Sequence, residues 1–156
     1  MRWQGHENAM LQSLPRPLVV LGLAGLLPQA VCLMMAVQDG PSHWFAIAAA
    51  CCYAAVILSF LGGMWWMAGA LTGLREPWVY GMAVVPSLAG WAALLPWCVG
   101  WTWPGPSLAA LGLLLLVSPL ADAALVSRVA LPAGWLRLRS TMAGGLGLLT
   151  LAIAAV

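Results

Sequence analysis

Along the chain, apolar runs of roughly a span's length alternate with short polar turns, the pattern of helices that cross a bilayer and not of alternating strands. Five such runs are visible, at residues 17–37, 44–74, 78–101, 107–126 and 135–156, preceded by a polar tail over 1–16. The first ends at Gln38-Asp39-Gly40-Pro41-Ser42-His43. The second is long for one crossing and too short for two, so it is expected as one tilted or kinked helix with its bend at Gly62-Gly63. Arg75-Glu76-Pro77 leads into the third, the Thr102 to Pro106 turn into the fourth, and a connection around Arg128 and Pro132 into the fifth. A span needs about 20 residues at ~1.5 Å each, which a chain of this length supplies five times over. The expected fold is all-α: a polytopic membrane protein with one five-helix transmembrane bundle.

Charge placement bears on that count separately. Five spans put Arg2, Arg16, Arg75, Arg128, Arg137 and Arg139 on one side and leave Asp39 on the other. Arginines near span ends stay cytoplasmic, so the N-terminus is expected inside and the C-terminus outside. Of ten tryptophans, Trp44, Trp97, Trp101 and Trp103 fall near the outer boundary, and Trp65, Trp66, Trp78 and Trp135 toward the inner one, where indoles form belts. Trp91 lies near mid-span.

Composition closes off other classes. With 63% hydrophobic and 6% charged residues the chain lacks the polar surface of a soluble enzyme and the basic face of a nucleic-acid binder. The long polar leader and the absence of a small-x-small site argue against a cleaved signal.

Candidate chemistry is sparse. In the second span small residues recur at Ala48, Cys52, Ala55, Ser59, Gly62, Gly69 and Gly73, with Trp66 the bulky member of the stripe. Small side chains let backbones approach closely, which places this span centrally against two or more neighbours. Pro28, Pro86 and Pro119 each remove a backbone donor inside a span. Pro86-Ser87 with Trp91 sets a kink, a hydroxyl and an indole within about two turns, so Ser59, Gly62, Gly63, Trp66, Pro86, Ser87 and Trp91 form the candidate ligand or packing site. Asp122 is the acidic residue inside a span and needs a cation, Arg139 or the shallower Arg137. Cys32, Cys51, Cys52 and Cys98 share the outer half of the bilayer without CxxC spacing, and are read as inert small apolar residues. His6 and His43 stand alone, so no metal site and no cofactor are expected. There is no phosphate loop and no nucleophile–base set.

Ile57-Leu58-Ser59-Phe60-Leu61-Gly62-Gly63 with Trp66, Val85-Pro86-Ser87-Leu88 with Gly90-Trp91, and Trp135-Leu136-Arg137-Leu138-Arg139 together resemble the domain of unknown function 3429 family, which includes transmembrane protein 69. The resemblance runs from about Leu21 to the C-terminus and implies a small multi-span protein of the bacterial inner membrane, with no activity to transfer. Family members often carry histidine and glycine where this chain has Trp65 and Met67. A likeness to the tryptophan-rich sensory proteins is architectural only, because their Trp-x-Pro-Pro pattern is absent.

The expected function is therefore that of a non-catalytic membrane protein, partnered by the lipid bilayer and by a second copy or another membrane protein. The alternative is a carrier or sensor of a small apolar or anionic ligand held between the helices.

Overall fold

In the computed structural model, residues 14–38, 40–100, 104–128 and 131–156 are described. The expectations for Arg2, His6, Asp39, Trp101 and Trp103 lie outside them. The described residues form helices α1 (Arg16–Ala24), α2 (Leu27–Ala36), α3 (Ser42–Leu71), α4 (Pro77–Cys98), α5 (Gly105–Val126) and α6 (Trp135–Ala154), with no strand among them. The chain is a helical bundle of five rods, because α1 and α2 together make the first run.

That first run is broken where the sequence dictates. Pro28 has no N–H for the Ala24 carbonyl and its ring crowds that turn, so α1 stops at Ala24 and α2 restarts at Leu27. The Tyr53 hydroxyl on α3 donates to the Gly25 carbonyl at 2.6 Å, supplying a partner at the break that lipid does not. Pro119 is handled differently. It withholds an N–H from the Leu115 carbonyl, and the neighbouring Ser118 hydroxyl donates there instead at 2.8 Å, so α5 runs on unbroken. Pro86 and Pro96 are likewise carried inside α4.

Helix α3 is central, packing against α2, α4, α5 and α6. It is one continuous helix through Gly62-Gly63, as the length of the second apolar run implied. Its buried side carries Ala46, Ile47, Ala50, Cys51, Ala54, Leu58, Leu61 and Trp65. Ala55, Gly62 and Gly69 are the buried members of the small-residue stripe, while Cys52, Ser59, Trp66 and Gly73 are exposed. The stripe expected as one packing face is thus split: a seven-residue repeat faces α4 and the rest turns outward. Along that antiparallel seam, a Cβ added at Gly62 would collide with the Ala83 carbonyl oxygen, and one at Gly90 would stand 3.3 Å from the Ala55 carbonyl oxygen. Glycine on either side is what permits so close an approach.

A second seam joins α5 to α6. A Cβ on Gly112 would lie 3.1 Å from the Gly147 carbonyl oxygen, and one on Gly147 2.9 Å from that of Gly112. Helix α6 runs parallel to α1 and α2: Leu14 lies beside Gly134, Gly22 beside Met142, and Leu26 beside Gly145. The first and last rods therefore start at the same end.

Four helical stretches, Arg16–Ala36, Ser42–Leu71, Pro77–Cys98 and Gly105–Val126, are long and apolar enough to cross a membrane. The fifth rod, α6, has the length but falls short in apolarity, because Arg137, Arg139 and its glycines dilute it. It buries Arg139 and Thr150 where it packs against α5, α3 and α2, while Arg137, Ser140 and Thr141 stay exposed.

Candidate functional site

The seven residues grouped as a ligand frame are not gathered around one space. Gly62 is buried against Ala83, and Pro86 stands beside it with Cδ 3.6 Å from where a Gly62 Cβ would sit. Ser59 is exposed and donates back to the Ala55 carbonyl of its own helix at 3.1 Å. Gly63 is exposed with nothing near it, and Ser87 is half-buried. Trp66 packs edge-on against Tyr80, ring centroids 5.2 Å apart, and Trp91 turns 63% of its surface outward. Of the seven, Pro86 lines the cleft of about 210 Å³ between α3, α4 and α5, in company with Leu58, Trp65, Leu114 and Ser118.

The polar chemistry lies instead among α3, α5 and α6. Asp122 is buried near the end of α5, and its two oxygens are divided between two helices. Trp65 Nε1 on α3 donates to Oδ1 at 2.8 Å, while Arg139 Nε on α6 donates to Oδ2 at 3.2 Å and Nη2 lies 3.1 Å from the same oxygen. Carboxylate and guanidinium are 3% and 4% exposed, so the pair is almost wholly buried, with Arg139 at the margin of a cleft between α1, α3 and α6. Arg137, the other candidate cation, stands apart; it is exposed and its carbonyl accepts from the Thr141 hydroxyl at 2.9 Å. The two arginines are two positions apart, with Leu138 between them, and on a helix that turns them to different faces.

Sequence reasoning misses Trp65, which was assigned to the inner aromatic belt. It lies on the core face with Leu58 and Leu61, and a buried indole N–H needs an acceptor. No pattern marked that face, because α3 is apolar all round. Gln29 is the second omission. It is fully buried, and its Nε2 donates to Thr150 Oγ1 at 2.9 Å, which in turn donates to the Leu146 carbonyl at 2.7 Å. A lone amide in an apolar run was the available signal. The four cysteines are free thiols, Cys51 buried and Cys52 and Cys98 exposed. No group of three potential metal ligands occurs among the described residues.

At the end of the bundle where Asp122 lies, Arg128 Nη1 meets Glu76 Oε1 at 2.7 Å, and Trp78 Nε1 donates to Oε2 of the same carboxylate at 2.7 Å. This exposed bridge ties the α3–α4 and α5–α6 connections together. Near it, a cleft of about 290 Å³ opens between α1, α3 and α6, walled by Leu18, Leu21, Phe60, Met64, Trp135 and Met142, with Arg139 the one charged group facing it.

In comparison with known proteins, a family model described as protein of unknown function (DUF3429) matches residues 14–155, nearly the whole chain. No curated protein and no solved structure matches.

Proposed function

The chain belongs to the DUF3429 family, and from that premise we propose that it is a non-catalytic interaction or assembly protein of the bacterial inner membrane, working through contact with a second copy of itself or another membrane protein. The supporting observation is Gly63. On a central helix that already packs four neighbours, Gly63 faces outward beside exposed Ser59 and Phe60, and a Cβ added there meets nothing. An outward glycine in lipid lets another helix approach backbone to backbone. Asp122 is held by Trp65 and Arg139, and Gln29 by Thr150, and the carboxylate that a proton-transfer reaction would use has both oxygens engaged.

In this reading the arginine-bearing end faces the cytoplasm, because cationic span ends are retained there. The N-terminus is then cytoplasmic and the C-terminus periplasmic, and a C-terminal phosphatase fusion is active while an N-terminal one is silent.

Substituting Gly63→Leu tests the contact. The variant keeps the melting temperature of the parent, but native mass spectrometry after gentle extraction finds its assemblies dissociated to single chains. Identical assemblies in parent and variant refute the role of this face.

A further inference from the structure

Arg139 has more to give than Asp122 takes. A guanidinium carries five N–H donors, yet among the described residues it makes one hydrogen bond, from Nε to Asp122 Oδ2. Its Nη2, though close to that oxygen, is not aligned to donate, and is buried without a hydrogen-bond partner. The other carboxylate oxygen is committed to Trp65. In hydrocarbon an unmet donor is costly, so such an arginine calls for a further acceptor. The same side chain walls the cleft between α1, α3 and α6 and also the narrower space beyond it, which is lined by Gly25, Ile57, Leu115 and Leu146.

The shape of this space is that of a chain with a polar head. From Trp135 to Leu146, its extreme lining residues on α6, a helix advances ~16 Å, about half of a ~30 Å hydrocarbon core. One leaflet's acyl chain has that reach. Apart from Arg139 the walls are apolar or aromatic, and α1, the rod that flanks the opening, has no buried residue and ends at the Gly25 break. Charge selects the head. At this end of the bundle Arg16, Arg75, Arg128, Arg137 and Arg139 face Glu76 and Asp122, an excess of cations among the described residues.

We infer that the cleft between α1, α3 and α6 is a binding site for one anionic phospholipid, its phosphodiester oxygens accepting from the Arg139 guanidinium near Trp135 and an acyl chain lying along Leu21, Phe60, Met64 and Met142. Arginine suits phosphate because its planar fork presents paired donors. Phe60 borders both this cleft and the outward face at Gly63, but Gly63 itself does not line the cleft, and the site does not rest on the assembly reading.

The test uses the full chain in mild detergent, presented with mixed micelles of phosphatidylglycerol or of phosphatidylcholine with the same acyl chains, and read by native mass spectrometry. The parent retains one phosphatidylglycerol per chain, at least tenfold in preference to phosphatidylcholine. Met64→Trp and, from the opposite wall, Leu21→Trp fill the cleft without touching the Arg139–Asp122 pair, and each lowers retention at least tenfold. Leu21 is exposed, so its variant decides the matter should Met64→Trp fail to fold. Gly63→Leu retains the lipid as the parent does. Equal retention of both lipids, or undiminished phosphatidylglycerol on a folded cleft-filled variant, overturns the assignment.

Discussion

Trp65 and Asp122, on helices adjacent in space but 57 residues apart in sequence, are joined by a 2.8 Å hydrogen bond from the indole Nε1 to a carboxylate that also pairs with Arg139. The indole thus does two things at once. It fills the core between α3 and α5, and it satisfies the oxygen that the arginine leaves free. One carboxylate thereby fixes the relative placement of three helices, at the end of the bundle where the connections are also bridged by Glu76 and Arg128.

Replacing Trp65 by Phe keeps most of the ring volume and removes the donor. The buried Oδ1 then has no partner, at a cost of about 1.5–3 kcal/mol for a hydrogen bond to a charged group. Thermal unfolding in detergent should show Trp65→Phe melting well below the parent, while Trp91→Phe, on an exposed indole, leaves the midpoint in place. Equal midpoints for the two variants would remove the hydrogen bond from the account of stability.

Asp122→Asn is expected to be more damaging, because it strands a guanidinium in the interior. Breaking one partner of a buried pair costs about 3–5 kcal/mol, whereas replacing both by apolar groups is often neutral. The double variant Asp122→Leu with Arg139→Met should therefore recover much of what Asp122→Asn loses, as read by the same melting curves. A double variant no better than the single would mean that the charge itself is not what the fold responds to.

Much of the bundle is legible in the sequence, and the reasons differ by residue. Five apolar runs joined by short turns imply a first and a last rod of the same direction, and α1–α2 and α6 run parallel. Asp122 announces itself, since a carboxylate in a span needs a cation. The choice of Arg139 over Arg137 does not, because it depends on the rotation of α6 against α5, set by Gly112 and Gly147 facing each other's carbonyls. Rotation also explains the ligand frame. Ser59, Gly62, Gly63 and Trp66 are close in sequence, but a helix distributes them between the α4 seam and the outside. In an α3 that is hydrophobic on every side, no amphipathic pattern reveals which faces are which.

Adjacent glycines provide a control on that argument. At Gly62 an added methyl runs into the Ala83 carbonyl, a backbone atom that cannot turn away, whereas at Gly63 it enters open space. Gly62→Ala should separate α3 from α4 and lower the melting temperature, and Gly63→Ala should leave it unchanged or slightly raised through helix propensity. Similar melting of the two variants would show that the seam is more compliant than its geometry implies.

The pair Gln29 and Thr150 extends the same logic to the far end of the bundle, where α2 meets α6. Hydrogen bonds between helices in a membrane are worth about 0.6 kcal/mol on average and up to ~1.7. Gln29 is buried with its Oε1 lacking any hydrogen-bond partner among the described residues, so its tie to Thr150 is its one direct compensation for leaving water. Thr150→Val keeps the shape, removes the acceptor and orphans the whole amide; Gln29→Leu removes the amide altogether and leaves Thr150 bonded to the Leu146 carbonyl. The valine variant should therefore be the less stable of the two, and adding Gln29→Leu to it should restore stability. Melting curves of the two single variants and the double check the order. If Gln29→Leu alone proved the more harmful, the amide would have to be making contacts beyond Thr150, and its free oxygen would be the place to look for them.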